Sequence, residues 1–531
     1  MFAVSLKKIM NITHSGNEPA DPWFASIGMI SSASAIVLGL LALKYPDRAA
    51  FYERRKGIYH SRGWPILGAT PSMIWNKEVI HEYFLHQFEK SGVLTSAISS
   101  LGIPFTISTI DPRNIEHILK NNFENYVKGP AFDEATQDLL GHGIFNSNGE
   151  RWKYQRKTAS HIFNVKNFKD QFTDVFLNGF KIMSEKIFDP AVKENHSVDF
   201  HDAMYRFTLD SFILLGFGVH LKTLSTKEKV PFATSFDECQ RNAIRRLTNP
   251  AWRIGETVRH CLAPWKKTIP QHVETINSFA SDVIKNRRDQ VAKGEEHGDL
   301  LSRFMKCRNE KGNLLDDTEL RDTVLNFVIA GRDTTAQSLS WTFYNLMQNP
   351  AIEEKLLEEI REHITDSMED DPPAMYEAIK HMTYAHAVFH ETLRLHPSVP
   401  NNQKYALNDD IWPDGTHIQK GDYVVWSPWA QGRCVSVWGE DAKIFKPERW
   451  ITPEGDLRRE SQGQWPAFHG GPRVCLGQNL ATLQALIVIV FLLKRYKLSL
   501  VPGQEITYLV SLTLPMKNGM SVMVEKRQPA Q

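Results

Sequence analysis

The sequence predicts a mainly α-helical domain with small β-sheets (an α+β arrangement), preceded by one N-terminal transmembrane helix. Three observations carry this. Helical periodicity dominates 165–300 and the long run Asp317–Met347. Strand-like runs are short: Val93–Ile98, Pro104–Ile110, Tyr423–Trp426, and Val510–Pro515 with Met520–Val524, the last two reading as a hairpin. One stretch of 20 residues, Phe24–Leu43, carries no charge.

That stretch is long enough to cross a bilayer as a helix. It is long for the apolar part of a cleaved signal, and what precedes it is not notably basic. Lys44, Arg48, Arg54, Arg55 and Lys56 follow it, against Lys7 and Lys8 before it. The positive-inside rule then puts residues 1–23 in a lumen, 24–43 in the membrane and the rest in the cytosol. A basic linker, 44–68, ends in Gly63-Trp-Pro-Ile-Leu-Gly68, and the cytosolic domain is 69–531. The triplet Asn11-Ile-Thr13 would face the lumen. Composition is that of a globular protein, 42% hydrophobic and 23% charged over 531 residues. A net charge of +1 argues against nucleic acid as a partner. The five cysteines (Cys239, Cys261, Cys307, Cys434, Cys475) form no CxxC pair, which argues against a disulfide framework or structural zinc.

In chain order, Gly102 separates the strands of a first hairpin, and Asp111 caps a helix over Pro112–Leu119. Residues 130–148 read as loop-rich. Trp152 and Arg156 share one face of a helix, a spacing that also suits a surface stack. Arg151, Lys153 and Lys157 make that helix basic. Residues 165–300 are helical with loops near 220–230 and 245–252, and show no catalytic motif. The long helix is capped by Asp316 or Asp317 and ends before Pro350. Its middle, Ala330-Gly-Arg-Asp-Thr-Thr335, is weak: Gly331 costs about 1 kcal/mol in a helix, and Thr334 can bond back to the carbonyl four residues earlier. A bent groove there, with the Asp333 acid beside the Thr334 hydroxyl, suits proton relay. Glu391 and Arg394 lie on one face of an apolar helix, which suits a buried pair needing further partners. Zinc at His390-Glu391 is excluded, because Arg394 stands where the second histidine is needed.

The segment that organises the rest is Phe468-His-Gly-Gly-Pro-Arg-Val-Cys-Leu-Gly477. Its glycines permit a tight turn and a close approach to something flat. Cys475 precedes a helix-prone run, and a helix N-terminus favours the thiolate. Arg473 can meet an anionic group carried by whatever the sulfur holds. Alone, Cys475 would pass for a small buried hydrophobe. Thiolate and cation together are what haem requires.

Phe468, Gly471, Arg473, Cys475 and Gly477 match, position for position, the haem-binding loop of the cytochrome P450 family, which the chain resembles. Trp152 and Arg156 resemble the family's Trp-x-x-x-Arg, which binds a haem propionate. Asp333 and Thr334 resemble its acid–hydroxyl pair, and Glu391, Arg394 and Arg449 its structural Glu-x-x-Arg and Pro-Glu-Arg network. Ala330 stands where one branch attaches haem through a glutamate, so the resemblance implies non-covalent haem. Where many members carry a basic propionate ligand, this chain has Asn401-Asn402-Gln403, with Lys404 next. The resemblance implies the P450 fold and a monooxygenase using O2 and NADPH electrons. It also implies a single-pass endoplasmic-reticulum protein, a cytochrome P450 reductase docking on the basic helix, and cytochrome b5 as a further partner. Lys404-Tyr-Ala-Leu, Pro413-Asp-Gly-Thr416 and Trp438-Gly-Glu-Asp-Ala442 resemble the fungal and plant clan that hydroxylates fatty acids and alkanes. The alternatives are a steroid or xenobiotic hydroxylase, and an O2-independent peroxide isomerase or dehydratase. The intact Asp333–Thr334 pair argues against the last.

Overall fold

The computed structural model describes residues 22–161, 168–226, 228, 230–249, 251–309 and 312–528. Asn11 and the N-terminal stretch before residue 22 lie outside them. The helices that bear on function are α1 (Pro22–Lys44), α2 (Pro130–Leu140), α3 (Gly149–Ser160), α4 (Phe200–Phe217), α5 (Pro231–Thr248), α6 (Trp252–Leu262), α7 (Ile269–Ala292), α8 (Asp317–Gln348), α9 (Thr383–Leu395) and α10 (Gln478–Arg495). Strands are few and short. β1 (Thr95–Ile98), β2 (Thr106–Thr109), β3 (Tyr126–Val127), β5 (Asn402–Ala406) and β8 (Tyr423–Trp426) form one sheet in the order β1-β2-β8-β5-β3, with only β2 and β8 parallel. β4 (Val198–Asp199), β9 (Tyr496–Leu500) and β10 (Ser521–Lys526) form a second sheet, and β6 (Asp410–Ile411) with β7 (His417–Ile418) a third.

α8 is the axis of the core. Asp316 caps it in a reciprocal box with Glu319. It packs on α4, α7, α9 and α10. α10 is as apolar as a membrane span, yet 67% of its most apolar window is buried. A helix apolar on every side belongs inside a core, and Leu483–Leu493 is buried without a break. α1 is different. It has 23 residues, about 34 Å at 1.5 Å per residue, enough for a bilayer core of about 30 Å. Ile36, Leu40 and Leu43 on it are exposed. From Tyr45 onward the chain is packed: Arg55 forms a two-pronged ion pair with Asp422, its second prong 2.6 Å long, and Ala69 N–H donates to the Ser99 carbonyl at 2.7 Å.

Two expectations need correction. Residues 130–140 are a helix, not loop. Pro130 starts it at a position where its missing N–H costs nothing, and Ala135, Thr136, Leu139 and Leu140 give it a buried face. The turn-forming Gly141 and Gly143, with Asn146, Ser147 and Asn148 after them, give this stretch its loop character and obscure that face. The C-terminal hairpin is also paired differently. β10 pairs with β9 and β4, while 510–515 is an irregular loop closed by a Tyr508–Met516 bridge. Its tip reaches α8, where Leu514 N–H donates to Gln337 Oε1 at 2.9 Å and Trp341 Nε1 donates to the Leu514 carbonyl at 3.0 Å.

α8 continues as helix through Gly331. A Cβ there would lie 1.9 Å from the ring of Phe212 on α4. Gly331 is thus the seat of a buried ring, which is why a poor helix former stands in mid-helix. Gly331→Ala is expected to cost about 1–3 kcal/mol by overpacking. In a thermal unfolding series, Phe212→Leu should return most of that loss in the double variant. Independent, additive effects would count against the contact.

Candidate active site

Cys475 sits deep among protein atoms, yet its side chain is exposed, so it opens on an interior space. The loop that holds it is fixed at each step. Gly471 has φ +58°, and a Cβ there would lie 1.9 Å from the Leu119 carbonyl oxygen. Cys475 N–H donates to the Phe468 carbonyl at 2.9 Å, and Gly477 is the N-cap of α10. The sequence places the sulfur where helix-end groups favour thiolate. In the structure burial dominates and pushes the thiol up, against the Gly477 N–H and the Arg156 charge. The sulfur therefore needs a bound cation to lose its proton fully.

Ala330, Gly331 and Thr334 are only part-buried, although most of α8 around them is fully buried. Thr334 Oγ1 donates to the Ala330 carbonyl at 2.8 Å, as its position in the helix suggests. Asp333 is 0% exposed and points elsewhere. Its Oδ2 accepts from Gln240 Nε2 at 2.5 Å, and its Oδ1 is 3.1 Å from Arg332. Acid and hydroxyl are neighbours in sequence, but each is held by other groups. Burial pushes Asp333 up to about 6, with Arg332 opposing and Asp237 adding to the rise.

Trp152 is buried on α3. Arg156 donates to the Val474 carbonyl at 2.8 Å, and the Arg473 guanidinium stacks 4.5 Å from the Trp152 ring while donating to the Ser147 carbonyl at 2.7 Å. The three motif residues thus meet at the edge of the cysteine loop. The structure adds two cations that the motifs do not mark. Lys404, on β5, is 1% exposed and its Nζ has no hydrogen-bond partner. Lys128, just after β3, lies beside it, with the Phe132 ring 4.4 Å from its ammonium. Burial, then the charges of Lys128 and Arg473, lower Lys404 well below its ordinary range; burial and Arg473 push Lys128 down to about 7. No acid opposes either shift. The sequence signal was a lysine in each of two short strand-edge segments that meet only through β3–β5 pairing.

The Glu391–Arg394 pair is buried. Arg394 Nε and NH2 each donate to the carboxylate at 2.7 Å. Trp450 Nε1 donates at 2.9 Å, Lys446 N–H at 2.8 Å, and Arg449 lies 3.6 Å away. Arg394 also donates to the Ala442 and Ile444 carbonyls. Both Glu391 oxygens and all three Arg394 guanidinium nitrogens are matched, the condition for a buried pair to be tolerated, although Arg449 Nε has no hydrogen-bond partner. Among the described residues no cluster of three histidine, cysteine or acidic side chains suits a metal ion. That leaves a site with one sulfur, a ring of cations and an interior gap.

The sequence pattern of the cytochrome P450 family matches residues 60–520. The chain belongs to the cytochrome P450 family. It is 36% identical to cytochrome P450 704C1 of Pinus taeda (89% of this chain, 93% of that one) and 35% identical to cytochrome P450 86B1 of Arabidopsis thaliana (87% and 85%). It is 34% identical to cytochrome P450 monooxygenase cyp1 of Mycosarcoma maydis (92% and 78%). As a P450 this protein is a monooxygenase, of a family that uses O2 and haem held by thiolate. The residues present fit that group. Lys404 and Lys128 are enclosed cations lacking an anion, and haem brings two carboxylates.

The orphaned lysines have a measurable consequence. In haem-free protein Lys128 holds its proton only below about 7, against 10.5 ordinarily. Between those values the unfolded chain binds the extra proton, so stability rises with pH above 7 and is lost as pH falls through 7. Urea unfolding of haem-free protein at pH 7 and pH 9 should show this gain. Lys128→Met/Lys404→Met should flatten it, and an equal gain in the variant would contradict the assignment.

Proposed function

We propose that this P450 hydroxylates long-chain fatty acids or alkanes, using NADPH electrons passed by a reductase. The observation that supports the haem chemistry is a cysteine loop bordered by Arg156 and Arg473, with the buried, unpartnered Lys404 ammonium beside Arg473. When bound, haem would supply the activation of dioxygen, and a thiolate ligand would favour O–O cleavage. Cys475 would hold its iron, while Arg156, Arg473, Lys404 and Lys128 would hold its carboxylates. Trp152 positions Arg473 by stacking. Phe468, Gly471 and Gly477 shape the loop, and Ala330 offers no carboxyl for a covalent link. Thr334 sits on the open face of α8 and hands protons into the groove, and Asp333 resupplies it. Glu391, Arg394 and Arg449 fix the frame.

The substrate class rests on the resemblance of Lys404-Tyr-Ala-Leu, Pro413-Asp-Gly-Thr416 and Trp438-Gly-Glu-Asp-Ala442 to the fatty acid and alkane clan. The surface supports a lipophilic substrate that arrives from a membrane. Ile254, Val258 and Leu262 line one face of α6, a helix with no buried residue. Exposed Ile74 and Trp75 lie at the same end, since Arg245 on α5 feels both Glu78 and Arg259. With α1 as a single span and 44–68 as its cytosolic flank, this end rests on an endoplasmic-reticulum bilayer. Lys153 and Lys157 on α3 offer a basic face to an acidic reductase.

One assay tests the whole reading. Full-length protein in membranes, with a cytochrome P450 reductase, is expected to consume NADPH and O2 when given a long-chain fatty acid, at a rate that falls with salt. Fatty acid or alkane should shift the haem spectrum, and a steroid should not. A chain lacking residues 1–44 should leave the membrane pellet. A response to steroid alone would replace the substrate assignment, and turnover of a hydroperoxide without NADPH would replace the reaction.

A further inference from the structure

Two carboxylates from different helices share one guanidinium. Arg332 NH1 lies 2.9 Å from Asp237 Oδ1 on α5 and 3.1 Å from Asp333 Oδ1 on α8. Arg332 and Asp333 are buried, whereas the Asp237 side chain is 44% exposed. Gln240, one turn along α5, donates to the other oxygen of Asp333. From α4, the Tyr205 ring covers the guanidinium at 4.5 Å, and Gln337 donates to its hydroxyl at 2.7 Å. The remaining group facing this cluster is His201, also on α4, which burial pushes down to about 4 and so keeps neutral. Burial holds Tyr205 in its protonated form as well. The charges in play are therefore one cation and two acids.

One buried cation cannot fully neutralise two carboxylates. Asp237 reaches water and holds one edge of Arg332 at 2.9 Å. Asp333 is left as the acid whose hold on its proton is raised by burial and by the Asp237 charge, with Arg332 opposing. If Asp237 were uncharged, Arg332 would pair with Asp333 alone. Asp333 would then stay ionised, held by Arg332.

We propose that Asp237 is a positioning residue for proton delivery: by occupying Arg332 from the solvent side, it frees the Asp333 carboxyl to carry a proton to the Thr334 groove. The proposal rests on the reading of Asp333 and Thr334 as proton carriers given above. The balance is simple. A proton leaves the Asp333 carboxyl for the groove, the resulting carboxylate is held by Arg332, and bulk water returns a proton to Asp333. It also ties proton supply to α5, a helix the acid–hydroxyl motif does not include.

The test uses full-length haem protein with its reductase and compares Asp237→Asn with wild type. The carboxylic-acid infrared band that Asp333→Asn abolishes is expected to titrate about one pH unit lower in Asp237→Asn. Product formed per NADPH should fall severalfold, with hydrogen peroxide released instead and a larger solvent deuterium isotope effect. Asp237→Glu should restore all three. Arg332→Gln, an independent check should Asp237→Asn fail to fold, is expected to move the same infrared midpoint upward. Unchanged midpoints and unchanged peroxide yield in the variants that fold would overturn the proposal. Wild-type protein that never consumes NADPH with a lipophilic substrate would instead overturn the reading beneath it.

Discussion

Charge enclosed without a counter-charge is the constraint that orders this molecule. Lys128, Lys404, Arg156 and Arg473 converge at one edge of the cysteine loop, and the two lysines have no carboxylate beside them. An ionised group in such surroundings costs several kcal/mol unless it is paired. A chain that keeps four of them together is incomplete by itself, and completes itself with an anion. The Cys475 sulfur lies in that loop, and α8 presents a part-buried face at Ala330, Gly331 and Thr334. A flat, doubly anionic metal macrocycle would suit the sulfur, the cations and the α8 face together.

The rest of the fold keeps those boundaries in place. α10 is buried along its length and follows directly from Gly477, so its packing on α8 sets the height of the sulfur. The Glu391–Arg394 pair is tied to carbonyls and N–H groups between Gly432 and Trp450, which pins the irregular segment leading into the cysteine loop. The loop near Leu514 braces α8 from the far side through Gln337 and Trp341. These are structural contacts with functional consequences, because shifting any of them moves the sulfur, the cations or the Thr334 face.

The family was legible from the sequence because its motifs are local. Each is a set of residue types within ten positions, fixed by what a tight turn or one helix face requires. The cysteine loop, the Asp316 cap, the first hairpin and Glu391–Arg394 all emerged that way. What escaped was nonlocal. Lys128 and Lys404 are ordinary lysines until β3 pairs with β5. The partner of β10 is a strand that directly follows α10, not the nearer segment 510–515. Helix 130–140 was hidden by neighbouring glycines. The long silent stretch 165–300 proved to hold Asp237, Gln240 and Phe212, whose importance lies in what they touch on α8. The thiol shows the same limit: helix-end groups were visible in sequence, whereas the burial that outweighs them was not.

The central claim is that Cys475 ligates haem iron through a thiolate. Carbon monoxide added to the dithionite-reduced, full-length protein tests it directly. The account predicts the strongly red-shifted absorption band of thiolate-ligated haem, lost in Cys475→Ser. A band at the unshifted position in wild type, or a red-shifted band that survives in Cys475→Ser, would contradict it.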